Sequence, residues 1–431
     1  MAETNPSNPL TGTRTRILLF EHPSFGWFWF ARVASGMAFQ MQAVAVGWQI
    51  YSLTHSTFEL GMVGLAQFLP IVLFTLISGQ VVDRYDRRAI FGISLGVQGV
   101  AGAFLAFGSW GHWLGVPGIF AVVAVLGAAR AFQGPATQAL LPTLVPSPLV
   151  PKGIAWATGA FQTASIVGPS IGGILYVYGA QAPYAAAAAL SLIGALLVTR
   201  MHMGGNSAPR QPVTRESLFS GIHFIRKQPV ILGSISLDLF AVLLGGATAL
   251  LPAFAHDILG VGARGLGALR SAPAVGSLVM SVLLARRPPK NAVGVKMFAA
   301  VIVFGLATIV FGLSRSFALS MGALAALGAA DIISVVIRSS LVQLETPDEM
   351  RGRVGAVNSL FISTSNQLGE FESGVTAAMM GIVPATVLGG VGTLVVAVLW
   401  MRLFPGLRKF DRYEKRPALR RAHSDRNDGS S

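Results

Sequence analysis

Among the charges inside apolar runs of this chain, Arg32, Arg130, Asp238 and Asp331 stand out, with Arg270 and Arg338 also within spans. A charge near the centre of a bilayer costs about 2.5 to 3.5 kcal/mol even on a lenient insertion scale, so such residues demand a use. Two cations and two anions can pair with each other, hold a charged ligand, or exchange a proton. At 1.5 Å per helical residue, Arg32 and Asp238 lie about 10 Å and about 12 Å from the starts of their runs. Arg130 and Asp331 sit in runs of the opposite direction, about 20 Å from their starts and about 10 Å from the same face. The four are expected to share one layer, with neutrality reached between cations of the first half and anions of the second.

Twelve apolar runs must carry these residues, each long enough to cross about 30 Å of hydrocarbon. They are Phe25 to Tyr51, Phe58 to Val81, Ala89 to Trp110, Pro117 to Gln138, Gly153 to Gly179, Pro183 to Met201, Val230 to Ala255, Gly262 to Ala285, Gly294 to Leu313, Phe317 to Ser340, Val354 to Met380 and Pro384 to Phe404. Only 12% of the 431 residues are charged and 53% are hydrophobic, against about 25% charged in a soluble domain. The chain is expected to be an all-α membrane protein.

The runs repeat. An offset of 201 carries Leu126, Gly127, Ala128 and Ala129 onto Leu327, Gly328, Ala329 and Ala330, and Arg130 onto Asp331. An offset of 206 carries Pro23 onto Pro229, Gly61 onto Gly267 and Arg32 onto Asp238. Two half-chains of one architecture are fused in tandem, as in transporters built from repeats. This predicts a cytoplasmic N-terminus over 1–24, a six-helix bundle over 25–202, a linker over 203–228, a second bundle over 229–404 and a basic, disordered tail over 405–431. Within the linker, Gly204, Gly205, Asn206 and Pro209 read as flexible. Leu218, Ile222, Phe224 and Ile225 among Arg215, Arg226 and Lys227 read as a short amphipathic helix lying on the cytoplasmic face.

The net charge of +14 reflects topology. With these spans, 26 of the 32 Lys and Arg fall on one side, which the positive-inside rule assigns to the cytoplasm together with both termini. Anionic lipid is the expected neighbour of these loops, and nucleic acid is not expected as a partner. There is no cysteine, so no disulfide or thiolate chemistry exists. The seven histidines are scattered, with no metal spacing or nucleophile dyad, and no metal site is expected. The absence of a Gly-rich phosphate loop argues against ATP as the energy source.

Three motifs carry a resemblance. Gly79, Asp83, Arg84, Arg87 and Arg88 resemble the loop signature of the major facilitator superfamily, with Asp86 where that signature has glycine. Leu126, Arg130, Gln133 and Gly134 are similar to its fourth-helix motif, and Gly168, Pro169, Gly172 and Gly173 to the fifth-helix signature of its antiporters. Short stretches, among them His22 to Phe25, Thr54 to Thr57 and Thr346 with Pro347, Gly352 and Arg353, look most like the siderophore-exporter and macrolide-efflux branch.

The resemblance implies twelve helices in two pseudo-symmetric bundles, working as a monomer and taking energy from a proton gradient without a cofactor. It implies export of a small amphipathic molecule, such as a siderophore, macrolide or other drug-like compound, from a bacterial inner membrane by alternating access. An uptake facilitator or symporter of the same fold is the alternative; an enzyme is not expected. Arg32, Arg130, Asp238 and Asp331 are then the coupling layer. Gly79, Asp83, Arg84, Arg87 and Arg88 gate the cytoplasmic side, with Asp83 near the start of the eleventh span at Gly352 and Arg353. Gly168, Pro169, Gly172 and Gly173 pack helices closely. Gln40, Gln42, Gln133, Glu370 and Glu372 are candidate polar groups of the cavity. Glu370 and Glu372, two residues apart, must face different neighbours, and Arg270 lies at the right depth to accompany one of them.

Overall fold

A computed structural model of the chain describes residues 19, 21–202, 215–288 and 291–411. Among these the protein is helical, with twelve long helices, α1 to α12: Pro23–Thr54, Thr57–Arg84, Arg87–Trp110, Val116–Leu144, Val150–Leu175, Gln181–Thr199, Pro229–Leu244, Gly262–Arg286, Val293–Leu313, Phe317–Glu345, Asp348–Met380 and Ile382–Leu403. By length and composition ten stretches can cross a membrane. The two helices outside that set, α1 and α11, are long but interrupted by polar side chains, including Arg32, Gln40, Gln42 and Gln49 in α1 and Asn366, Gln367, Glu370 and Glu372 in α11. Twelve spans are consistent with this helix set.

The chain divides into two compact units, and the boundary crosses the sequence repeat. The first comprises residues 1–49 and 69–212, the second residues 50–68 and 213–431. The segment Ile50–Phe68 thus belongs with the second half of the sequence, because Gly61 lets it come against the backbone of α11. A methyl group at Gly61 would lie 3.0 Å from the Phe371 carbonyl oxygen and 3.1 Å from the Gly374 Cα.

In the first unit, Phe25 and Phe28 of α1, Phe91 and Leu95 of α3, Leu140 and Leu144 of α4 and Val198 of α6 form the core. Small residues set the helix spacing where no hydrophobic force separates helix from lipid. A Cβ at Gly36 would meet the Ala164 Cβ at 2.7 Å, one at Gly168 the Met37 carbonyl at 3.3 Å, and one at Gly172 the Met41 Cα at 2.9 Å. The fifth-helix signature thus seats α5 on α1. At the turn between α2 and α3, Asp86 accepts a hydrogen bond from the Arg88 amide at 2.8 Å and caps α3. A carboxylate where the resembled signature has glycine therefore starts the next helix. Arg88 donates to the Met201 carbonyl at 2.7 Å and Arg87 to the Ala139 carbonyl at 3.4 Å.

In the second unit, α7 stops at Leu244 before Gly245 and Gly246, where a Cβ on Gly246 would lie 2.6 Å from the Gly369 carbonyl of α11. The chain continues through a 3-10 turn at Ala247–Leu250 and a π-helical turn at Phe254–Ile258. Gly381, at φ +94°, reverses the chain directly from α11 into α12, a conformation that favours glycine.

The linker helix, Arg215–Lys227, places Ile222, Phe224 and Ile225 in a cluster with Ile231, Ile235, Val342, Val354 and Val357. One expectation needs correction. The tail is ordered at its start: Pro405–Arg408 form a helical turn, Leu407 is fully buried, and Asp411 accepts from the Ala292 amide at 2.7 Å. Residues 1–18 of the expected N-terminus, the stretch 203–214 expected to be a flexible linker and the expected tail beyond Asp411 lie outside the described residues.

Candidate functional site

The sequence-selected arginines share a cavity of the first unit. Arg32, Ser35, Gly36 and Phe39 on α1 follow i, i+3, i+4, i+7 spacing, as do Arg130, Gln133, Gly134 and Thr137 on α4, so each set forms one stripe. With Gln98 of α3 and Phe161 of α5, the two stripes line a cavity of about 200 Å³. A chain of amides and hydroxyls fixes its polar wall: Gln98 donates to the Gln133 carbonyl oxygen at 2.8 Å, and the Gln133 amide donates to the Ser35 hydroxyl at 2.6 Å. The Arg130 guanidinium carbon lies 3.3 Å from the Phe39 ring centroid, while that of Arg32 is 6.0 Å from the Phe28 ring. Neither arginine has a carboxylate within ion-pair distance among the described residues. Two cations, a neutral amide wall and aromatic faces therefore surround space large enough for part of an anionic ligand.

The repeat-related positions of the second unit are arranged differently. Offset 206 carries Arg32, Ser35 and Phe39 onto Asp238, Ala241 and Gly245, and offset 201 carries Arg130, Gln133 and Thr137 onto Asp331, Ser334 and Arg338. Asp238 and Arg338, 5% and 2% exposed, form a buried ion pair in which Arg338 Nη1 donates to Asp238 Oδ2. The expectation that neutrality at Asp238 is best reached with a cation of the other half is therefore corrected. Arg338, in the position of Thr137, supplies it from the same unit, and 100 residues of separation hid the pairing from the sequence. Asp331 lies within electrostatic reach of both members. Asp238, Asp331 and Ser334 line a space of only about 10 Å³, at the lower limit for one water. Ser334 Oγ and Arg338 Nε, both buried, have no protein partner there.

The other candidates are dispersed. Gln40 donates to Ser165 at 3.2 Å and joins α1 to α5. The Gln42 amide is buried with no hydrogen-bond partner, beside Gly102 of α3. Neither lines the arginine cavity, whereas Gln98, which sequence reasoning passed over, does. Glu370 lies against Gly64, with a Cβ on that glycine 3.0 Å from its Oε2, and within electrostatic reach of Arg270. Glu372 accepts from Thr376 of its own helix at 2.9 Å. Arg353 is directed to the linker helix, donating to Ser220 at 3.4 Å, while a Cβ on Gly221 would lie 3.0 Å from the Arg353 carbonyl. Asp83 and the other loop-signature residues belong to the first unit and Arg353 to the second.

One cluster contradicts the expectation of no metal-like grouping. His55, His256 and Asp257 each offer a donor atom, all within 4.8 Å of one another. Their 201-residue separation hides them from any local spacing rule. The signal was in the repeat, whose 206 offset carries Tyr51 onto Asp257, and these two equivalent positions are hydrogen-bonded.

The family description for transmembrane secretion effectors of the major facilitator type matches residues 16–425. The chain belongs to that family. Like its relatives, this secretion effector is a multi-pass membrane transporter and not an enzyme. It is 27% identical over 400 residues to the enterobactin exporter of Citrobacter koseri, covering 91% of this chain and 94% of that one. It is 26% identical over 400 residues to the enterobactin exporter of Escherichia coli O1:K1, with the same coverage. Among solved structures, a bacterial homologue of the human lysosomal transporter Spinster shares the fold with a TM-score of 0.69 at 14% identity, covering 89% of this chain and 95% of that one. A POT family transporter in complex with 5-aminolevulinic acid does so with a TM-score of 0.70 at 12% identity, covering 89% and 96%.

Proposed function

We propose that this transporter exports a small amphipathic anion across a bacterial inner membrane in exchange for protons, with both termini cytoplasmic. The observation that carries the substrate charge is the first-unit cavity, where Arg32 and Arg130 face an amide wall with no carboxylate partner among the described residues. A guanidinium stacked on Phe39 with donors left over suits an acidic aromatic group, a catecholate or carboxylate, better than a cation. The enterobactin exporters among the relatives agree with a siderophore-like cargo. Macrolides and other drug-like compounds remain the wider class.

Proton exchange is assigned to Asp331. Asp238 already has Arg338, so two carboxylates and one guanidinium carry a net charge of −1 that a proton on Asp331 cancels. Alternating access then exposes this acid to one side at a time. The energy source is the proton gradient, no cofactor takes part, and one chain suffices.

Reconstitution into proteoliposomes with an imposed pH gradient tests the reading. Catecholate siderophores and acidic aromatic compounds should be driven across, and cationic dyes should not. Gradient-driven movement of cations alone would overturn the charge assignment, and movement of anions without any response to the gradient would overturn exchange.

A further inference from the structure

At the end of α1 away from the basic loops, four side chains converge within the second unit. His55 occupies the two-residue turn between α1 and α2 with φ +49°, a left-handed conformation in which glycine is the unstrained choice. Its amide donates to the Tyr51 carbonyl at 2.8 Å, and Thr54 and Ser56 close the turn through their hydroxyls. A non-glycine residue held there costs about 1 to 2 kcal/mol and invites a reason beyond the turn itself. Its partners lie on the π-helical turn Phe254–Ile258, a second local departure from regular backbone, of a kind frequent at functional sites.

The two irregularities face each other. The His55 and His256 rings are 5.1 Å apart between centroids, and the Tyr51 ring is 5.8 Å and 5.7 Å from them. His256 Nδ1 is 2.6 Å from Asp257 Oδ1, and the Tyr51 hydroxyl donates to Asp257 Oδ2. Asp257 is thereby oriented by two neighbours, as carboxylates of metal sites are oriented by surrounding hydrogen bonds. His55 and Asp257 are exposed and His256 half-buried, so the cluster is open to solution.

We propose that His55, His256 and Asp257 bind one divalent transition-metal ion of the zinc, nickel or copper(II) class, with Tyr51 orienting Asp257. Two imidazoles and one carboxylate form a three-ligand set whose fourth position stays open to water. The donors, all within 4.8 Å of one another, must settle at about 3.4 Å, the separation implied by metal–ligand bonds of about 2.1 Å, with His256 Nδ1 and Asp257 Oδ1 moving apart from 2.6 Å. Imidazole-rich sites favour these ions, while magnesium and calcium prefer all-oxygen sets. A bound ion would tie the turn at His55 to the π-helical turn. If the exporter reading holds, occupancy restrains the motion of these helix ends during transport.

The binding itself is tested without transport. Chelator-stripped full-length protein, purified with a tag that contains no histidine, is titrated with zinc chloride by calorimetry and by equilibrium dialysis with metal analysis. One zinc per chain is expected, weakened at least about 10-fold by His55→Gly, by His256→Asn and by Asp257→Asn, with no binding of magnesium. His55→Gly relieves the positive φ, so it should fold at least as stably as the parent without zinc, and its loss of zinc cannot be ascribed to unfolding. Absence of stoichiometric zinc binding by the folded parent, or equal binding by His55→Gly and His256→Asn, would overturn the site. Failure of gradient-driven export in zinc-free liposomes would count against the exporter reading and leave this result untouched.

Discussion

The arginine cavity of the first unit and the carboxylate site of the second occupy the same positions of a repeated architecture, yet have opposite solutions to buried charge. The first leaves two guanidiniums without counter-ions among the described residues, supports them with the neutral chain Gln98–Gln133–Ser35, and keeps about 200 Å³ around them. The second places Arg338 where the first has Thr137, neutralises one carboxylate internally, and leaves about 10 Å³. An uncompensated charge beside a large volume is suited to a ligand, and one excess charge in a space barely large enough for one water is suited to a proton. On the proposed reading, divergence of the two repeats separates holding the cargo from coupling it.

The comparison breaks most severely if the Asp238–Arg338 pair is cut. Arg338→Met leaves a buried carboxylate without its cation and should destabilise the second unit by about 3 to 5 kcal/mol, seen as a large loss in thermal unfolding of detergent-solubilised protein. Adding Asp238→Asn should recover most of the loss, since removing both charges removes the desolvation penalty with them. Equal instability of single and double variants would show that the pair is not the stabilising unit.

In the first unit the corresponding changes should spare stability and affect binding. Arg130→Ala removes a charged donor and should weaken the binding of an acidic substrate about 10- to 100-fold, by titration of purified protein, while Gln133→Ala, which loses the two neutral hydrogen bonds to Gln98 and Ser35, should cost about 10-fold or less. Unchanged affinity in Arg130→Ala would remove the cavity from the transport path. Close packing gives an effect of intermediate size: Gly172→Leu forces a side chain against the Met41 backbone and should destabilise the α1–α5 contact by about 1 to 3 kcal/mol.

The parts of this architecture legible in the sequence are those written in local pattern. Apolar runs mark the helices, the tandem offset marks the two halves, and Gly168 and Gly172 mark a close helix contact because their spacing puts both on one face. The rest depends on contacts between residues far apart, which leave no local trace. Arg338 looked like one more charge in a span until the fold brought it to Asp238. His55 and His256 looked like isolated loop residues until a left-handed turn and a π-helical turn brought their rings together. The allegiance of Ile50–Phe68 to the second unit likewise follows from the bare face at Gly61, which sequence shows only as one glycine among 50.

The smallest effect expected is at the loop signature. Asp83→Asn should shift the balance between conformations by about 1 kcal/mol, a several-fold change in population. The chain has no cysteine, so single cysteines introduced into cytoplasmic positions report this shift by their labelling rates. Identical rates in parent and variant would take Asp83 out of gating.

Division of labour between the units is tested most directly by Asp331→Asn reconstituted in liposomes, assayed both for substrate exchange at equal pH and for accumulation driven by a pH gradient. The account predicts that exchange persists with an affinity within about 3-fold of the parent while gradient-driven accumulation is lost, the loss of one proton site without loss of the arginine cavity. Normal gradient-driven accumulation in Asp331→Asn would contradict it and move the proton site elsewhere, with Glu370 beside Arg270 the next acid to examine.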